Sequence, residues 1–135
     1  MNWRIPLADV DVGPEDVEAV TQVLQSRWLT MGEVTARFEQ AFATYVGARH
    51  AIAVTNATAA LHLANVALGV GPGDEVIVPS LTFVATANAV RYTGATPVFA
   101  DVTSEEDLGL SPAAIEEAIT PAMKAITVMH YGGYP

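Results

Sequence analysis

Apolar positions change rhythm along this chain, and the change divides it. Over residues 14–46 they recur at helical spacing. Val17, Val20, Val23 and Leu24 form one face of a first helix; Val34, Phe38, Ala41, Phe42 and Tyr45 form one face of a second. The first helix opens at Gly13-Pro14-Glu15-Asp16, with proline in its first turn and acids at the positive end of its dipole. Gly47 ends the second. Between them runs the loop Ser26–Gly32, and the first dozen residues read as extended.

After Gly47 short apolar runs alternate with helical stretches. Strands are predicted at Ala51–Thr55, Glu75–Val78, Thr96–Ala100 and Lys124–Val128. Helices are predicted at Ala57–Leu68, Thr82–Tyr92 and from Pro112, the last capped by Ser111 with Ile115, Ala118 and Ile119 facing inward. Strands joined by helical crossovers build a parallel sheet with helices on its faces, and right-handed connections are expected. The strands are apolar without alternation, as fits a sheet covered on both sides. The fold class is therefore α/β, mostly parallel. Residues 1–47 form an extended segment with two helices, and residues 48–135 an incomplete α/β domain. Strand C-termini carry the ligand site in such sheets. The chain stops as it reaches that edge after its last predicted strand, so further residues are expected beyond Pro135.

Composition narrows the chemistry. The 135 residues carry six basic and fifteen acidic side chains, a net charge of −9, which disfavours nucleic-acid binding. The acids gather in Asp9–Glu18 and Asp101–Glu117, as solvated helix starts and loops. With no cysteine there is no disulfide or thiolate chemistry. His50, His62 and His130 lack metal-ligand spacing, so no metal site is expected. His62 reads as a packed residue, and His130 lies at the ligand edge. No apolar run reaches membrane-spanning length and the N-terminus has no signal-peptide pattern, so no membrane partner is expected and the cytoplasm is the expected location.

Thr55-Asn56-Ala57-Thr58-Ala59-Ala60 carries the clearest candidate chemistry. A strand end, a small-residue turn and a helix start leave amides without intrahelical partners, a ready anion site, and Thr58 adds a hydroxyl. A plain Asn or Thr cap is the alternative. Gly69-Val70-Gly71-Pro72-Gly73-Asp74 follows a helix and enters a strand, the reverse of a dinucleotide fingerprint, and reads as a turn. In Pro79-Ser80-Leu81-Thr82-Phe83, at the ligand edge, Ser80 or Thr82 can cap the next helix. Phe83 can join a core or lie against a bound ring. Asp101 ends a strand at the same edge and reads as a loop cap. Lys124, the single lysine, begins the last strand at the opposite edge and reads as a surface charge.

These segments resemble a known family. The runs Trp28-Leu29-Thr30-Met31-Gly32, Ala53 to Leu63, Gly71 to Ala89, Gly94 to Val102, Thr120 to Ile126 and His130 to Pro135 are similar, in order and spacing, to the DegT/DnrJ/EryC1/StrS family of pyridoxal-phosphate-dependent sugar aminotransferases. The resemblance implies the fold-type I architecture, with a large domain built on a mostly parallel seven-stranded sheet. It implies a pyridoxal 5'-phosphate site in which Ala57 and Thr58 hold the phosphate and Phe83 stacks on the pyridine ring. Thr30 and Met31 become substrate-side residues. Glutamate as amino donor, a keto-sugar nucleotide as acceptor and a role in polysaccharide or deoxysugar biosynthesis are implied too, as is a homodimer. Family members are about three times as long. Their pyridine-pairing aspartate and Schiff-base lysine lie beyond Pro135, so no catalytic residue is assigned here and the remainder of the enzyme is an expected partner. A sugar dehydratase of the same family, with histidine replacing that lysine, and an inactive truncated assembly partner are the alternatives.

Overall fold

The computed structural model describes residues 10–134, and these fall into two compact units divided between Ala53 and Val54. The first unit holds helices α1 (Pro14–Ser26) and α2 (Glu33–Val46). Asp16 Oδ2 accepts from the Gly13 amide at 2.8 Å, satisfying a donor at the start of α1. Gly47, at φ 69°, ends α2 in the left-handed region that glycine adopts without strain. The predicted apolar faces exist, but Val17, Val20 and Leu24 on α1 and Val34, Phe38 and Phe42 on α2 stay exposed. Most of the extended reading of the first dozen residues lies outside the described residues.

The second unit contains α3 (Ala57–Ala67), β1 (Glu75–Pro79), α4 (Ala85–Arg91), β2 (Thr96–Ala100), α5 (Pro112–Ala118) and β3 (Met123–Ile126), then a single 3-10 turn at Tyr131–Gly133. The sheet is parallel with order β2-β1-β3. β1 therefore lies at its centre, and Val76, Ile77 and Val78 are wholly buried. Val76 and Val78 join Val70, Ala87, Val90 and Ala95 in one cluster beneath α4. Ile77 alternates to the other face of the sheet and is buried there. α4 packs on β1, β2 and α3, and α5 packs on β2. Gly94 takes φ 85° in the α4–β2 turn, and a Cβ there would meet Pro72 Cγ at 3.0 Å, so this position excludes a side chain on two grounds. The Gly71–Asp74 segment is a turn as expected, closed by Asp74 N to Gly71 O at 3.0 Å and by the Gly71 amide to Asp74 Oδ2 at 3.0 Å.

Four predictions need correction. The segment 51–55 is not a strand: it has no ladder partner among the described residues, and Ile52 is 79% exposed. Apolar composition marks a segment suited to a sheet, but the hydrogen-bonded neighbour must come from elsewhere. The helix expected from Thr82 starts at Ala85, and neither Ser80 nor Thr82 caps it. Their hydroxyls are engaged elsewhere, with Asp101 and with Thr86 and Met129. Ile119 does not face inward. It follows α5 in extended backbone and is 56% exposed, whereas Ile115 and Ala118 are half-buried. Finally, burial without alternation holds for β1 only, because the outer strands leave Phe99 and Ile126 exposed. Ser111 does cap α5, accepting from the Ala114 amide at 3.3 Å.

Candidate functional site

Two features of the second unit carry chemistry. The first is the start of α3. Asn56 is extended, at φ −167° and ψ 168°, so its side chain swings over the first turn and accepts from the Ala59 amide at 2.9 Å. The Ala60 amide bonds the Asn56 carbonyl at 3.2 Å. The amides of Ala57 and Thr58 thus remain without a protein acceptor among the described residues, at the positive end of an eleven-residue helix. Ala57 is exposed and Thr58 half-buried, so an anion can approach both. Asn56 satisfies one donor and leaves two; the cap and the anion site coexist here rather than compete. Asn56→Ala is expected to cost about 1 kcal/mol of stability by orphaning the Ala59 amide, measured as a lower urea midpoint.

The second feature is the C-terminal edge of the sheet. β1 ends at Pro79, in register with Ala100 of β2. The next residue of each strand, Ser80 and Asp101, therefore stand side by side. Ser80 Oγ donates to Asp101 Oδ1 at 2.9 Å, and the Val102 amide donates to the same oxygen at 2.8 Å. The Val102 amide first, and the Ser80 hydroxyl second, hold the Asp101 carboxyl below the ordinary aspartate value. Thr82 Oγ1 shares a hydrogen bond with Thr86 Oγ1 at 2.9 Å and reaches Met129 Sδ, beyond the end of β3, at 3.4 Å. The Phe83 carbonyl accepts from the Thr86 amide at 3.0 Å. On this framework the Phe83 side chain is 75% exposed, so its ring is not a core residue.

Asp101 is a loop cap as read from the sequence. Its bond to Ser80 is not legible from either residue alone; the parallel register of the two strand ends is the signal that finds it. His62 is packed, its ring edge-on to Tyr92 at a centroid distance of 5.6 Å. His130 is exposed beyond β3. Lys124 is exposed near the start of β3, at the edge opposite Ser80 and Phe83. No metal-binding cluster and no helix long and apolar enough to cross a membrane occur among the described residues.

In the first unit, Thr30 and Met31 lie in the loop between α1 and α2. Trp28 Nε1 donates to the Met31 carbonyl at 2.9 Å, folding the indole over the loop, and a Cβ on Gly32 would fall 2.5 Å from that nitrogen. Trp28, Leu29, Thr30, Val23 and Val34 line a largely apolar cavity of about 550 Å³.

A helix start with two open amides, and an exposed aromatic ring at the ligand edge of a parallel sheet, suit a planar phosphorylated cofactor. The sequence matches the model of the DegT/DnrJ/EryC1/StrS aminotransferase family over residues 10–135. The chain belongs to that family. It is 51% identical over 132 residues to the spore coat polysaccharide biosynthesis protein SpsC of Bacillus subtilis (strain 168), covering 98% of this chain and 34% of SpsC. It superposes on DesV of S. venezuelae, solved in complex with a ketimine intermediate, with a TM-score of 0.84 and 43% identity, covering 90% of this chain and 32% of DesV. NtdA of Bacillus subtilis, solved with bound cofactor PMP, gives a TM-score of 0.77 and 37% identity, covering 85% of this chain and 27% of NtdA. The chain spans about a third of the length of these relatives.

Proposed function

We propose that this chain is the cofactor-phosphate-binding portion of a pyridoxal-phosphate-dependent aminotransferase that moves an amino group from glutamate to a keto-sugar nucleotide for polysaccharide or deoxysugar biosynthesis. The observation that carries it is the start of α3, where Asn56 caps one amide and leaves those of Ala57 and Thr58 open. The donor set fits a phosphate monoester: two amides, one hydroxyl and a helix dipole. The likeness to SpsC supports the polysaccharide role, and the likeness to NtdA supports the cofactor.

Bound pyridoxal phosphate would supply an electron sink and carry the amino group between donor and acceptor. The residues here bind and orient it. Ala57 and Thr58 would hold the phosphate and Phe83 would stack on the pyridine ring, while Thr30 and Met31 are the residues assigned to the sugar-nucleotide side. The division into a helical segment, 1–47, and a cofactor-binding part, 48–135, belongs to this reading. So do homodimerisation and a cytoplasmic location.

The test supplies the complete gene product with pyridoxal phosphate, glutamate and a keto-sugar nucleotide. Release of 2-oxoglutarate in step with an aminated sugar is expected. Loss of water from the sugar would favour a dehydratase, and no change in either substrate would sink the reading. Phe83→Leu is expected to weaken the binding of pyridoxamine phosphate roughly tenfold, measured by calorimetry, because the flat ring contact is lost.

A further inference from the structure

We propose that Asp101 is a positioning residue for the cofactor ring, acting through Ser80 to hold the turn that presents Phe83. This rests on the reading of Phe83 as the ring partner. An aromatic side chain that is 75% exposed has little packing to fix it, so its direction depends on the backbone beneath it. That turn is tied at Ser80, Thr82 and Phe83. The Ser80 amide donates to the Ala100 carbonyl at 2.9 Å and Ser80 Oγ to Asp101 Oδ1 at 2.9 Å. Thr82 is tied to Thr86 and Met129, and the Phe83 carbonyl to the Thr86 amide.

Of these ties, the Asp101 carboxylate joins β1 to β2 by a side chain that makes no element of its own. The Val102 amide holds the same oxygen at 2.8 Å, which fixes the carboxylate before Ser80 reaches it. A charged acceptor makes a stronger hydrogen bond than a neutral one, and this one closes the β1–α4 turn against the neighbouring strand. A turn held in its bound form binds more tightly because less freedom is lost on association. Asp101 touches neither cofactor nor substrate in this scheme.

The experiment uses the complete gene product and pyridoxamine phosphate as the probe. Asp101→Ala is expected to bind it roughly three- to tenfold more weakly. At saturation it should also show a smaller induced circular dichroism of the bound cofactor, which a merely less stable protein would not. Asp101→Asn keeps an acceptor for both donors and should restore most of the affinity and the signal. In a Phe83→Leu background, Asp101→Ala should weaken binding no further, because the ring it positions is gone. Should Asp101→Ala fail to fold, Ser80→Ala carries the same expectation with and without Phe83→Leu. Wild-type affinity in Asp101→Ala, or equal losses in both backgrounds, overturns the proposal while leaving the cofactor reading intact. A wild-type protein that does not bind pyridoxamine phosphate overturns both.

Discussion

Thr58→Glu is expected to cut the affinity of the complete gene product for pyridoxamine phosphate by at least about 100-fold while leaving the stability of α3 unchanged or slightly raised. The two effects have opposite signs because one property causes both. A carboxylate in the first turn of a helix interacts well with the dipole and the open amides, contributing about 0.3–1 kcal/mol. It thereby occupies the place of the phosphate and repels it. Charge-assisted hydrogen bonds contribute about 1.5–3 kcal/mol each, so losing two of them accounts for the expected drop. Thr58→Val keeps the amides and removes only the hydroxyl, and roughly a tenfold loss is expected. Calorimetric titration measures the affinities, and thermal unfolding without cofactor measures the stabilities. Tight binding by Thr58→Glu would mean that the phosphate is held elsewhere.

The largest stability effect is expected at Ile77. This side chain is wholly buried in the central strand, between Val98 of β2 and Ile126 of β3 in register. Ile77→Ala should destabilise the protein by about 2–5 kcal/mol, the range for opening a cavity where neighbours cannot collapse. Two hydrogen-bonded strands flank β1 and restrict that collapse. Phe99→Ala, at a side chain 58% exposed on the adjacent strand, should cost under about 1 kcal/mol despite the larger residue. Urea unfolding of both variants tests the contrast. Equal losses would mean that the burial of β1 does not govern the stability of the sheet.

The parts legible in the sequence are those that local chemistry decides. Asn56 and Ser111 each cap a helix with the hydroxyl or amide oxygen their residue type offers. The apolar run Val76-Ile77-Val78 becomes the buried strand it resembles. Glycine at 47 and 73 marks chain reversals through positive φ. The open amides of Ala57 and Thr58 follow from helix geometry once Asn56 is placed. What composition does not carry is partnership. Ala51–Thr55 is as apolar as β1, yet it finds no ladder among the described residues. Thr82 has the chemistry of a helix cap, but Thr86 and Met129 engage it first, and the helix begins at Ala85. Ser80 and Asp101 are 21 positions apart, and only the register of β1 on β2 makes them neighbours.

The placement of β1 between β2 and β3 also sets an order of assembly. Its partner β2 follows after one short helix, so closing that pair costs little chain entropy. The other flank waits for residues 123–126, about 50 positions later. As the chain leaves the ribosome, β1, α4 and β2 can therefore condense first, with the second edge of β1 still bare. An unpaired parallel edge rich in valine and isoleucine invites wrong pairings until β3 arrives.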